Sequence, residues 1–439
     1  MQVLSQIIFI LILGVGIYFF YKSIRRIVRN IHIGKDIDLS NNKAARWKNM
    51  LRFAVGQGKM TKIKPIAGIL HVFVYLGFVL INIEVLEIII DGIAGTHRIF
   101  RPILGNLYDF SIGFFEILGV LVILSCAVFL FRRNLMHIYR FRSPELKGWP
   151  FLDANVILIV EIVLMVALLV MNAADQAFQQ DTNMPVSSFL APMFQNMSAA
   201  TAHIWVQTAW WFHFVGILWF LNYVPYSKHL HIILSFPNTY YTNLEPKAKF
   251  KNNELVSNEV KAMLDPSFTP PTVENPRFGV KDVEDLTWKN LLDAYSCTEC
   301  GRCTSVCPAN TTGKLLSPRK VMMDTRDRLE EVGKIKEGIL PEPAEPKDLH
   351  TYITKEELMA CTTCNACVEV CPININPMEI IVNMRQYLVM EESNAPQEWN
   401  MMFSNIENNG APWQFAQSER ANWTIELENE DKQSNQNES

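Results

Sequence analysis

The feature that most constrains this chain is a series of five apolar stretches, at about 3–21, 66–90, 110–131, 153–172 and 203–224. Each is long enough for the ~20 residues of helix that cross a bilayer. With no water in the hydrocarbon to satisfy backbone groups, such segments are expected to be helical. Loop charge gives them a direction. The segment 22–65 holds 12 Lys and Arg and 132–152 holds five, whereas 91–109 and 173–202 together hold only Arg98 and Arg101. The positive-inside bias therefore predicts an outer N-terminus, five spans, and everything after Tyr223 on the cytoplasmic side of a bacterial-type inner membrane. The first stretch does not read as a cleaved signal peptide, because its positive charge follows the apolar run and no A-x-A site closes it.

The averages, 49% apolar with a net charge of −4, conceal a division. Residues 1–236 carry 20 Lys+Arg against 12 Asp+Glu, and residues 237–439 carry 20 against 32. An acidic second part without a basic face argues against nucleic-acid binding. Eight of nine cysteines fall in two tight groups there, unlike a secreted disulfide scaffold. The expected organisation is mainly α: a five-helix membrane bundle over 1–236 and a linker or wrapping segment over 237–290. An α-helical two-cluster ferredoxin domain over 291–392 follows, then a tail over 393–439 expected to lack order toward its end.

Cys297-x-x-Cys300-x-x-Cys303-x-x-x-Cys307-Pro308 recurs 64 residues later as Cys361-x-x-Cys364-x-x-Cys367-x-x-x-Cys371-Pro372. This is the bacterial ferredoxin run, and two copies imply two [4Fe–4S] clusters. Three close thiolates can wrap a cubane, and the fourth lies on the departing chain, where proline redirects the backbone. In two-cluster ferredoxins the fourth cysteine ligates the other cluster. The expected sets are Cys297, Cys300, Cys303 and Cys371 for one, and Cys361, Cys364, Cys367 and Cys307 for the other. A zinc ribbon would use Cys-x-x-Cys pairs rather than a 2-2-3 run before proline. The ninth cysteine, Cys126, lies in an apolar span and reads as a packing residue.

Between and after the runs, Ser317-Pro318 predicts a helix start. Thr354-Lys355-Glu356-Glu357 is a capping box, and Asn376-Pro377 opens a helix over Met378–Met390.

Within the spans, Glu84, Glu87, Glu116 and Glu161 would each cost about 2.5–3.5 kcal/mol if charged at mid-bilayer, so they should face the bundle interior. They can serve there as hydrogen-bonding groups or in proton or quinone chemistry. His71 and His213 also lie within spans, and His231 follows His213 by eighteen residues, the same helical face ~27 Å further on if the helix is continuous. Pro225 lies between them and can kink it. No C-x-x-C-H occurs, so covalent haem attachment is not expected. Histidines on facing helices are, however, a usual way to hold a b-type haem. His229 is expected at the surface.

Five spans, His71 in the second, and the run Pro225-Tyr226-Ser227-Lys228-His229-Leu230-His231 resemble the gamma subunit of respiratory nitrate reductase. The resemblance implies an inner haem b between His71 and His231, with His213 at a further ligand position. The remaining position of that pattern falls on Ile81, which cannot ligate iron. The cysteine region, with Asn405-Ile406-Glu407-Asn408-Asn409-Gly410-Ala411-Pro412-Trp413 after it, resembles heterodisulfide reductase and related iron–sulfur subunits. Longer relatives carry Cys-Cys-Gly repeats, and none occurs in these residues, nor does a dinucleotide fingerprint or nucleophile elbow. The resemblances imply an electron-transfer subunit between a cytoplasmic partner and membrane quinone, with no catalytic side chain of its own. The partner would be a separate Cys-Cys-Gly-type iron–sulfur subunit or an electron-transfer flavoprotein. The alternatives are a self-contained quinone oxidoreductase for a soluble flavoprotein or ferredoxin, and a haem-free membrane-anchored ferredoxin.

Overall fold

The computed structural model describes residues 2–179, 184–246, 249–250, 252–273 and 276–437. The architecture is helical, as expected; among the described residues the only β pairing is an isolated parallel bridge between Lys35 and Thr287. Five long apolar helices dominate the first part: α1 (Gln2–Ile31), α2 (Pro65–Ala94), α3 (Asn106–Asn134), α4 (Trp149–Gln179) and α5 (Ala199–Tyr223). α1 and α3 run past their apolar stretches through Lys22, Arg25, Arg26 and Arg29 and through Arg132 and Arg133, good helix formers that continue the backbone ladder. Pro65 occupies the first turn of α2, where its missing N–H costs nothing, and Gly95 closes that helix at φ 71°.

The helices pack in sequence, α2 on α3, α3 on α4 and α4 on α5, while α1 lies against α2 and α5. Phe9, Ile81, Phe115, Val122, Leu168 and Phe214 share the core with Cys126, which is fully buried. Many large apolar side chains instead face outward, among them Leu11, Phe110 and Leu124. An apolar surface of that extent suits contact with lipid.

The four glutamates do face inward. Glu116 accepts hydrogen bonds from the Val186 and Ser187 amides at 2.9 and 3.1 Å and from Asn172 at 3.2 Å. Glu87 accepts from the Tyr108 hydroxyl at 2.7 Å and the Phe100 amide at 3.0 Å.

α5 does not continue to His231. It stops at Tyr223, and two 3-10 turns, Val224–Tyr226 and Lys228–Leu230, lead into a short helix α6 (His231–Tyr240). Asp153 of α4 catches this break, accepting from the Tyr223 hydroxyl and from the Lys228 amide at 3.0 Å.

Cα packing divides the chain into two compact units. The first comprises Met1–Lys251 and Lys281–Val382, so the long helices and both cysteine runs share it. Within it, α1 leads to Gly34, where a side chain would meet the Leu286 carbonyl at 2.6 Å. That close approach lets Lys35 exchange backbone hydrogen bonds with Leu286 and Trp288. Thr287 then caps α7 (Trp288–Ser296). Helix α8 (Pro318–Lys336) begins where Ser317-Pro318 placed it, with the Ser317 hydroxyl accepting from the Lys320 amide. The Thr354 capping box is formed with Glu357, and α9 runs over Pro377–Met390.

The second unit comprises Asn252–Val280 and Asn383–Ser439. Its segments are tied by the Val280 amide to the Asn383 carbonyl at 3.0 Å and by the Phe278 amide to Glu391 at 2.7 Å. Asn422–Asn437 is helical, and through Glu430 its side chains are almost all exposed; the last two residues lie outside the described ones.

Candidate redox centres

The two cysteine runs adopt the same backbone. In Cys297-Thr298-Glu299-Cys300-Gly301-Arg302-Cys303 the third and fifth residues have positive φ, 54° at Glu299 and 68° at Gly301. In the second run the corresponding residues, Thr363 and Asn365, stand at 54° and 60°. Glycine and asparagine tolerate this region; a glutamate and a β-branched threonine do so only where the surroundings over-determine them. Short helices follow, Arg302–Ser305 and Ala366–Val370, and pack on each other. Cys307 and Cys371 then sit in matching extended conformations, φ −73° and −69°, each before its proline. The twofold repetition in sequence is therefore a repetition of loop geometry.

None of the nine cysteines is in a disulfide. The thiol of Cys303 is pushed well up by burial and by the neighbouring charges of Cys297, Cys300, Cys371 and Cys367. Burial and then the charge of Cys300 push Cys371 up to about 11. Cys367 is raised to about 12 by burial and then by Cys361, with Cys307 and Cys364 adding to it. Cys371 therefore lies within electrostatic reach of Cys300, and Cys367 within reach of Cys307. All-sulfur donor sets of four, without competing disulfides, fit [4Fe–4S] clusters. Backbone amides also point at the sulfurs: Thr363 at 3.4 Å from Cys361 Sγ and Ile375 at 3.3 Å from Cys371 Sγ.

Below the first run, the imidazoles of His71 and His231 face each other with ring centres 6.3 Å apart and planes 43° apart. With metal–nitrogen bonds of ~2 Å on either side, and each nitrogen roughly 1 Å ahead of its ring centre, two imidazoles sharing one metal stand roughly 6 Å apart. His231 Nδ1 lies 2.9 Å from the Lys228 carbonyl, which turns Nε2 the other way, a usual orientation for a metal-ligating histidine. His71 Nδ1 is buried without a hydrogen-bond partner. The spacing would let the two imidazoles share one metal.

His213 is not part of this group. It is 1% exposed, its Nδ1 is buried without a hydrogen-bond partner, and it lies ten residues before the end of α5, about 15 Å of helical rise. His229, expected at the surface, is buried instead; its ring packs on Phe220, His231 and Phe78 with ring centres 5.2, 5.7 and 6.1 Å away respectively. The break in α5 causes the difference, because the 3-10 turn folds Lys228–Leu230 back against the bundle. Ile81 is buried in the apolar core.

Residues that spacing did not reveal join the two centres. Glu299, inside the first cysteine run and 5% exposed, receives the Lys228 ammonium and, at 2.8 Å, the Arg326 guanidinium. Lys228 is the residue whose carbonyl orients His231. Burial raises the Glu299 pKa, but the charges of Arg326 and Lys228 outweigh it and hold the carboxyl below its ordinary value. Nearby, the fully buried Arg319 binds Glu145 at 2.8 Å and the Arg140 carbonyl at 2.6 Å. Lys59 donates to the Cys371 carbonyl at 3.3 Å and to Asn374 at 2.7 Å. Only a positive φ at a non-glycine in the cysteine loop could have drawn attention to Glu299, and φ is not visible in sequence.

Residues 296–375 match the 4Fe–4S dicluster domain family. The chain is 28% identical to a probable iron–sulfur-binding oxidoreductase, FadF, of Bacillus subtilis, over 96% of its own length and 61% of the relative's. It is 30% identical to the EtfAB:quinone oxidoreductase of Syntrophomonas wolfei, over 89% and 55%. Over 34% of its length it is 32% identical to a probable membrane-anchored ferredoxin of Chromohalobacter salexigens, covering 24% of that protein. The chain spans about 55–61% of the two long relatives it matches most extensively. No solved structure matches it. With paired thiol loops and five long apolar helices in one unit, the chain carries a 4Fe–4S dicluster domain and is homologous to iron–sulfur oxidoreductases.

Proposed function

We propose that this protein is a membrane-bound electron-transfer subunit, passing electrons between a cytoplasmic redox protein and membrane quinone. Cys297, Cys300, Cys303 and Cys371 would hold one [4Fe–4S] cluster, and Cys361, Cys364, Cys367 and Cys307 the other; His71 and His231 would hold one haem b. When bound, these groups supply one-electron chemistry, and the chain's own part is positioning, exclusion of water and adjustment of potential. The observation that carries the reading is the 6.3 Å opposition of His71 and His231 next to a segment ion-paired to the first cysteine loop. Loop charge supports an outer N-terminus with both cysteine runs in the cytoplasm. An electron-transfer flavoprotein is the favoured partner, since the relative matched over 89% of this chain is named an EtfAB:quinone oxidoreductase. A separate Cys-Cys-Gly-type iron–sulfur subunit is the other.

The test is an anaerobic reduced-minus-oxidised spectrum of the purified protein, with haem and iron quantified. The expected result is a b-type α-band near ~560 nm, one haem per chain, and loss of the band in His71→Ala with both cluster signals retained. Absence of the band from the wild-type protein, or full haem content in His71→Ala, overturns the haem assignment. Quinone reduction by the purified chain with reduced flavoprotein alone would favour a self-contained oxidoreductase over a relay subunit.

A further inference from the structure

The two cysteine loops share a backbone but not their surroundings. Between the thiols of the first stand two charged residues, Glu299 and Arg302, and both are buried. Glu299 is held by Lys228 and Arg326, and Arg302 donates to Met60 Sδ at 2.8 Å. A Cβ at Gly301 would stand 3.4 Å from the Arg140 side chain, and Thr298 shares a cavity wall with His231. Met60 precedes α2, Arg140 lies between α3 and α4, and Lys228 and His231 follow α5, so the first loop is turned toward the long helices. In the second loop the positions of Glu299 and Arg302 are taken by Thr363 and Ala366, and no residue between its thiols is charged. Thr362 and Cys364 are exposed there, and Cys364 is the one exposed cysteine among the described residues of the two runs. Cys307, within electrostatic reach of Cys367, lies between Val306 and Pro308, which are exposed as well. Covering a charge with a partner is costly unless the charge is paired, whereas small uncharged residues lose little when water is stripped from them.

We propose that the loop over 361–367 is the face on which the soluble electron-transfer flavoprotein docks, with Thr362 and Cys364 covered in the complex. The inference rests on the cluster assignment and the partner favoured above, and adds the place where they meet. It follows from the contrast between two loops of one geometry: the first spends its charged side chains on contacts to the membrane part, and the second leaves a ligand thiol open among uncharged neighbours. Electrons then enter or leave the chain at the second loop. Each transfer changes the flavoprotein by one electron and the site behind Cys364 by one in the opposite sense, and no bond is made or broken.

The experiment uses the holoprotein in nanodiscs, reduced anaerobically, and follows the power saturation of the cluster EPR signals. Cys300→Ser and Cys364→Ser identify the signals, since each alters or removes the one belonging to its own loop. Cys303→Ser and Cys361→Ser replace either variant that fails to assemble. A water-soluble dysprosium chelate should speed the spin relaxation of the second loop's signal several-fold more than that of the first. Added electron-transfer flavoprotein should shield the second signal from the chelate. Thr362→Arg should abolish that shielding while both signals and the chelate's own effect persist. Equal or reversed chelate effects overturn the docking face, as does a flavoprotein that co-elutes with the nanodiscs and leaves the second signal unshielded. A flavoprotein that does not bind the wild type overturns the favoured partner and this occupant with it. Absence of both signals from the reduced wild type overturns the cluster assignment itself.

Discussion

Glu299→Gln should loosen the first cysteine loop and the turn before His231 together. The carboxylate is 3% exposed in its side chain and faces two cations, Lys228 and Arg326, whose side chains are 10% and 22% exposed. Glutamine keeps the shape and one acceptor but removes the charge. Breaking a buried pair by deleting one partner costs about 3–5 kcal/mol. Arg326 retains Asp327 at 3.2 Å, and Lys228 remains within the influence of Asp153, so the lower end, ~3 kcal/mol, is expected. At ~1.4 kcal/mol per decade this is about a hundredfold increase in local opening. Hydrogen exchange followed by mass spectrometry, on the holoprotein in nanodiscs, reads it in peptides covering 297–303 and 228–231. Lys228→Met combined with Glu299→Gln should cost less than the sum of the two, because neither charge is then left alone. The pH dependence has a definite sign. Since the folded pKa of Glu299 lies below its ordinary value, its stabilisation is present above the unfolded value of ~4.3 and is lost as pH falls through the folded one. Wild-type exchange in Glu299→Gln, or strict additivity in the double variant, refutes the coupling.

Three further outcomes follow from the same geometry. Cys371→Ala should remove the cluster held by the first run and leave the other, while Cys307→Ala does the reverse; EPR and iron analysis distinguish this crossed arrangement from a run-by-run one. Gly34→Val places a side chain where the Leu286 carbonyl lies 2.6 Å away, so the Lys35–Thr287 bridge should open and proteolysis near 33–40 should accelerate. Cys126→Ser puts a hydroxyl into a fully buried apolar site and should destabilise the membrane unit by about 1–3 kcal/mol, whereas Cys126→Ala should cost less; thermal unfolding of the two in one detergent makes the comparison.

Much of the helical framework was legible because its signals are local. An apolar run long enough to cross a bilayer marks a helix whatever surrounds it, and Ser317-Pro318, Thr354 with Glu357, and Asn376-Pro377 act within one turn of themselves. The extent of each long helix was less legible, since charged residues extend α1 to Ile31 without an apolar signal. His229 was misread for a related reason. Alone in a polar run it reads as surface, and only the end of α5 at Tyr223 turns it against Phe220.

By itself, the sequence determined that five helices could cross a membrane and that two cysteine runs repeat one spacing, because periodicity and spacing are carried by neighbouring residues. Tertiary structure alone decided how close the rings of His71 and His231 come, that His229 is buried beside them, and that Lys228 reaches Glu299. Those pairs lie tens to hundreds of residues apart. Their meeting depends on where α5 breaks and how the cysteine loops dock on the bundle, and both are set by packing and by buried charges seeking partners.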